Sequence, residues 1–141
     1  MAERLRRVNP ASMQDALTLM QQECLPGDVP TEYRPDDLWW VAYSGREPAG
    51  FCCIRPVPNH PGMWYMARAG VMPDYRGRGL QLRMLRTRIH AAKKAGATII
   101  VSDCTAANSA SANNLIRAGF RVYDPVYRWG LPSSIYWRLK C

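Results

Sequence analysis

The run Val71-Met72-Pro73-Asp74-Tyr75-Arg76-Gly77-Arg78-Gly79-Leu80 constrains the fold more than any other part of the chain. Apolar residues precede it and a helix-patterned stretch follows it, so two glycines one residue apart fall where a strand turns into a helix. Such a turn leaves several backbone N–H groups unpaired and pointing the same way, which makes a cradle for phosphate oxygens. Arg76 and Arg78 add positive charge at that point. The ligand expected there is a phosphorylated cofactor.

The rest of the chain supplies the frame. Arg4 to Val8 alternates weakly and reads as a first strand. Asn9-Pro10, a capping residue followed by proline at the first helical position, predicts a helix over Ala11 to Glu23. Residues 26–37 are rich in proline and acid and read as a loop or a short irregular helix. Leu38 to Tyr43 and Ala49 to Ile54 are short apolar segments around Ser44-Gly45-Arg46-Glu47, a hairpin signature. Met63 to Val71 is the next strand. Gly79 to Ala95 is a helix with Leu82, Leu85, Ile89 and Ala92 inward, and Gly96 ends it. Thr98 to Cys104 is a β-branched strand, Asn108 to Ala118 a helix, and Phe120 to Tyr123 and Ile135 to Leu139 are closing strands. The order β-α-β-β-β-α-β-α-β-β mixes hairpins with crossovers, so an α/β sheet with helices on both faces is expected.

The 141 residues suit one domain, 1–141, with a usable core. No apolar run is long enough to span a membrane and Met1 to Arg7 leads into no signal core, so cytosolic (cytoplasmic) residence is expected. Five cysteines without CxxC spacing read as free thiols, and His60 and His90 have no cysteine pair at ligand spacing, so no metal site is expected. The formal net charge of +8 admits a nucleic-acid surface, but no aromatic-basic module accompanies it.

Two motifs bring a family into view. Arg76-Gly77-Arg78-Gly79-Leu80-Gln81 resembles the acetyl-CoA motif of the GCN5-related N-acetyltransferases, the GNAT superfamily. Asn108-Ser109-Ala110-Ser111, followed by Ala118-Gly119-Phe120, is similar to that family's second cofactor segment. The resemblance covers nearly the whole chain, and two motifs in order are far more specific than one glycine loop. It implies a mixed sheet of six to seven strands with splayed central strands, and acetyl-CoA (coenzyme A) as cofactor. By the same resemblance, backbone groups around Ala69 and Val71 would bond the pantetheine arm. An N–H near Ala69 would face the thioester oxygen and stabilise the oxyanion, a large catalytic effect. N–H groups from Arg76, Gly77, Arg78, Gly79, Leu80 and Gln81 would hold the pyrophosphate. Asn108 would bond pantetheine, with Ser111 beside the cofactor.

The sequence departs from the family pattern at three positions. Gln81 stands where relatives carry a small residue. Leu115 occupies the position at which many relatives place a tyrosine as general acid, which leaves that acid unassigned. Tyr65 matches a position where some relatives carry a glutamate base, and an ordinary tyrosine is a poor base at neutral pH. Tyr65, Asp103 and Glu47 are the candidates for handling the acceptor's proton. Cys104, without a histidine partner, reads as a small buried residue rather than a nucleophile. Arg83 or Arg86 could reach the adenosine 3′-phosphate. Asp28, Glu32, Asp36 and Asp37 could border the acceptor pocket. Of Trp39 and Trp40, one is expected in the core and the other near substrate. The segment Tyr127 to Pro132 is expected to close the pocket or form a homodimer contact. The leading expectation is an acyltransferase moving an acetyl group from acetyl-CoA to a primary amine of a small molecule, peptide or protein, by direct attack in a ternary complex. The rivals are a non-catalytic CoA-binding protein of the same fold, and a basic protein that binds nucleic acid.

Overall fold

Strands and helices follow one another as the periodicity predicts. The computed structural model describes residues 2–141. Its elements are β1 (Arg4–Val8), a 3₁₀ turn (Pro10–Ser12), α1 (Gln14–Cys24), β2 (Leu38–Ser44), β3 (Glu47–Pro56), β4 (Met63–Val71), a second 3₁₀ turn (Pro73–Tyr75), α2 (Leu80–Lys94), β5 (Ile99–Thr105), α3 (Ser109–Arg117), β6 (Arg121–Val122) and β7 (Ser134–Lys140). The strands form one mixed, mostly antiparallel sheet in the order β1-β2-β3-β4-β5-β7-β6. β4 and β5 pair in parallel, whereas β1–β2, β2–β3, β5–β7 and β6–β7 are antiparallel. Among the described residues no helix is long and apolar enough to cross a membrane.

The chain divides into two compact units, Met1–Arg55 with Ala67–Met84, and Pro56–Met66 with Leu85–Cys141. In the first, side chains two residues apart on a strand share a face. Trp39 and Val41 of β2 and Phe51 and Cys53 of β3 therefore pack together against Leu17, Met20 and Cys24 of α1. Gly50 faces the other way, and a Cβ there would lie 3.4 Å from Leu80 and 3.6 Å from Met84. α1 and the first turns of α2 thus cover opposite faces of the β2–β3 hairpin. Both tryptophans are buried, Trp39 between Tyr33 and Phe51 and Trp40 beneath the Arg7 guanidinium, so neither is left for an open cleft.

Gly70 is the tightest point of this packing. A Cβ there would lie 2.6 Å from Cys24 Cβ and 2.7 Å from the Phe51 ring. Gly70→Ala is expected to lower stability by about 1–3 kcal/mol through overpacking, read as a lower urea midpoint with an unchanged slope.

In the second unit β5 and β7 pair over seven residues, from Ile99↔Lys140 to Thr105↔Ser134. The parallel β4–β5 register runs from Met63↔Ile99 to Tyr65↔Val101. Ile100, Val101, Leu115 and Phe120 are buried there.

Several expectations need correction. The helix predicted from Ala11 begins only at Gln14. Asn9 Oδ1 accepts from Ala11 N at 3.0 Å and caps the 3₁₀ turn, and Met13 (φ −132°, ψ 24°) leaves helical geometry before α1 starts. The strand predicted over Phe120 to Tyr123 shrinks to Arg121–Val122, because Phe120 N donates to Leu115 O and closes the end of α3. On α2, Leu82 is only half-buried, while Met84 and Arg88 are buried.

Cys24, Cys52, Cys53 and Cys104 are buried and Cys141 is exposed. Burial pushes the Cys24 and Cys104 thiols above their ordinary value, and the Asp103 charge pushes Cys104 the same way. A raised folded-state pKa means that the unfolded chain loses its thiol protons first. The stability these thiols contribute is full below about pH 8.5 and declines as pH rises above it. Urea midpoints are expected to fall over that alkaline range, and less steeply in a Cys24→Ala, Cys104→Ala variant. At neutral pH, iodoacetamide is expected to modify Cys141 first, read by mass spectrometry of the intact protein.

Candidate functional site

The glycine run follows β4 in the first unit. Met72 N donates to Ala49 O at 2.8 Å, which anchors the chain as it leaves β4. Proline at the head of the 3₁₀ turn starts a tight bend, and Gly77 and Gly79 both take φ +77°. Side chains rarely adopt that left-handed backbone, so the loop requires glycine at both places. Nothing lies within 4 Å of a Cβ built on either, so the space around them is open. Arg83 N donates to Gly79 O at 3.2 Å where α2 begins. Gln81, larger than the residue expected there, is exposed.

The arginines around the loop are held in place. Arg76 Nε donates to Val71 O at 3.2 Å, and the Arg78 guanidinium stands 5.2 Å from the Tyr75 ring centroid. Buried Glu3 receives two of them: Arg78 Nη1 at 3.4 Å from Oε1 and Arg83 Nη1 at 3.7 Å from Oε2. Arg83 Nη2 also donates to Glu3 O at 2.6 Å. Glu3 had no sequence signal, because only the folded chain brings position 3 to positions 78 and 83. Arg83 is therefore tied to Glu3, the residue just before β1, whereas Arg86 is exposed.

The acidic loop before β2 is turned inward in part. Asp37 is buried, pairs with Arg55 at 2.9 Å and accepts from Arg34 N at 3.1 Å. Asp28 lies 3.5 Å from Arg68. Glu47 is exposed at the start of β3.

In the second unit Asn108 caps α3, with Oδ1 accepting from Ser111 N at 3.1 Å, so these two cofactor candidates meet at one helix end. Leu115, at the position of the missing tyrosine, is 3% exposed. The remaining candidates come together on one polar cluster. The β4–β5 register sets Tyr65 against Val101, and Asp103 lies two residues further on the same face. Tyr65 Oη donates to Asp103 Oδ1 at 2.7 Å. Trp129 Nε1 donates to the same oxygen at 3.1 Å. Both donors are spent on Oδ1, which leaves Oδ2 able to receive a proton or an N–H from a bound molecule.

Aromatic rings frame that carboxylate. Trp129 meets Tyr136 edge to face at 4.6 Å and Tyr65 at 6.2 Å. Tyr136 is the cross-strand partner of Asp103, and its hydroxyl accepts from Gly130 N at 2.8 Å. Leu131 N donates to Ser134 Oγ at 2.9 Å. A Cβ on Gly130 would fall 2.6 Å from Ser134 Oγ and 3.1 Å from Asp103 Oδ2, so glycine lets this loop lie close to the carboxylate. Trp129 and Tyr136 were missed as site residues. The aromatic cluster at 127–129 was visible, but not its target. Cys104, next in the chain, is buried with its thiol pushed up, as expected of a non-nucleophilic residue. A half-buried carboxylate held by two neutral donors is suited to orienting an ammonium group.

Comparison with known proteins bears on the fold and the family. The model of the acetyltransferase (GNAT) family matches residues 6–120. No protein of curated function matches the sequence. Among solved structures, a Bacillus subtilis acetyltransferase in complex with CoA superposes with a TM-score of 0.79 at 19% identity, covering 99% of both chains. The ribosomal-protein-S18-alanine N-acetyltransferase of Escherichia coli gives 0.78 at 17% identity, over 98% of this chain and 93% of that one. An IAA acetyltransferase from Bacillus cereus gives 0.76 at 16% identity, over 99% and 100%. At these identities the likeness is one of fold.

Proposed function

The chain belongs to the acetyltransferase (GNAT) family, and from that premise we propose that residues 1–141 work as one acetyl-CoA-dependent N-acetyltransferase domain acting on a primary amine. The observation that carries the reading is the Asp103 carboxylate held by Tyr65 and Trp129 with Oδ2 free of both. An amine attacks only once it has lost its ammonium proton, and Asp103 Oδ2 accepts that proton. Tyr65 orients the carboxylate and can relay the proton onward through water. Attack of the amine nitrogen on the thioester carbon would break the C–S bond, with the nitrogen's remaining extra proton passing to water and the departing CoA thiolate taking one up from water.

The left-handed glycines at 77 and 79 support a diphosphate cradle whose N–H groups would come from Gly77 to Gln81; the Arg76 N–H, expected to join them, is instead given to Pro73 O at 3.4 Å. Ala69 and Val71 on β4 would offer backbone groups to the pantetheine arm, with the Ala69 N–H on the developing oxyanion. Asn108 and Ser111 would contact the cofactor from the start of α3. The CoA-bound relative supports that choice of cofactor. The buried Leu115 favours a second reading, a CoA-binding protein without turnover.

Incubation with acetyl-CoA and a panel of amines, followed by release of the CoA thiol, tests the proposal. Turnover on at least one amine is expected. Tight acetyl-CoA binding without turnover on any amine would leave the non-catalytic reading, and absence of acetyl-CoA binding in calorimetry would remove both.

A further inference from the structure

We propose that the outer edge of β1 takes an acid-rich, extended peptide segment as an added strand. This goes beyond acetyl transfer and does not depend on it. β1 is the outermost strand at its end of the sheet, paired on one side to β2. An edge strand presents unpaired backbone N–H and C=O groups on alternate residues. Strand alternation puts Arg4 and Arg6 on one face and Arg7 on the other. A groove of about 490 Å³ lies over β1 and the end of β2 beside this edge, lined by Arg4, Arg6, Arg7, Val8, Tyr43 and Arg46, with no carboxylate among the described residues of its wall.

The charge there is uncompensated. Arg55, Arg68, Arg78, Arg83 and Arg128 all form ion pairs. Among the described residues Arg4, Arg6 and Arg46 form none, and Arg7 lies 5.4 Å over the Trp40 ring. A concentration of exposed arginine on an edge is a common defence against strand pairing, but that defence is selective. It repels a second copy of this chain, which would set arginine against arginine. It attracts a strand with carboxylates at alternate positions. Arg4 and Arg6 are about 6.8 Å apart along the strand, the repeat of acidic residues at i and i+2 in such a partner. Leu5, half-buried on the other face with Arg7, offers apolar contact to the intervening side chains. A single-stranded nucleic acid would need exposed rings on which bases stack. Tyr43 is the ring in the groove wall, and it is half-buried.

The test uses the intact protein and a labelled short peptide alternating glutamate with valine and threonine, followed by fluorescence anisotropy. Binding is expected, with new hydrogen-exchange protection at the amides of Arg4–Val8. Arg4→Ala with Arg6→Ala should weaken it by about tenfold. Methylating alternate backbone nitrogens of the peptide leaves its charge intact and should also weaken it by about tenfold. The proposal is overturned if the peptide does not bind or if the methylated peptide binds equally well, which would reduce the contact to charge alone. Tighter binding of a single-stranded oligonucleotide, or protection elsewhere than β1, overturns it as well.

Discussion

Asp103→Asn is expected to lower kcat for amine acetylation by about two to four orders of magnitude, the usual contribution of a positioned general base. The amide has the same shape as the carboxylate, and its oxygen can still accept from Tyr65 and Trp129, so the fold and the neighbouring rings are retained. What it loses is the ability to take a proton at Oδ2. Acetyl-CoA affinity, measured by calorimetry, should therefore be unchanged while turnover collapses. Tyr65→Phe removes one of the two hydrogen bonds on Oδ1 and should give a smaller fall in kcat. A fully active Asp103→Asn enzyme would mean that the proton leaves by another route.

The second large effect is expected at the glycine loop. In Gly77→Val with Gly79→Val, two β-branched residues would have to sit at φ +77°, at a cost of about 1–3 kcal/mol each. The loop is exposed and nothing crowds either position, so it can relieve that strain by abandoning its present shape. The cost then appears in binding rather than in stability. Acetyl-CoA affinity should fall by about a hundredfold or more while the melting temperature stays close to that of the parent protein. A large drop in melting temperature with affinity retained would show that the loop serves the fold instead of the cofactor.

The sequence carried the element order and the loop well, because both are local. The leucine spacing of α2 and the β-branched run of β5 are written in consecutive residues, and a glycine pair at a strand-to-helix junction predicts left-handed backbone at that point. It was weaker where tertiary contacts override local preference. Asn9 looked like the start of a long helix and instead caps a single turn. Leu82 fits the inward stripe, yet Met84 and Arg88 are the more buried residues. Asp37 read as an acid beside a pocket, and the fold spends it on Arg55 and the Arg34 backbone.

Tyr65 and Asp103 could each be named from the sequence as a candidate, but not as a pair. They lie 38 residues apart, and their hydrogen bond exists because the β4–β5 register sets Tyr65 against Val101 and strand alternation then turns Asp103 to the same side. Trp129 reaches the same oxygen from a loop 26 residues further on, which Gly130 allows to lie close. Glu3 meets Arg78 and Arg83 in the same way. The sequence by itself determined where the chain turns, which stretches are helix or strand, and which loop has the backbone freedom to cradle a phosphate, since these follow from torsion limits and periodicity among neighbouring residues. The tertiary structure alone decided which carboxylate is held, by which donors, and with which oxygen left free, because those contacts join residues distant in the chain through strand register.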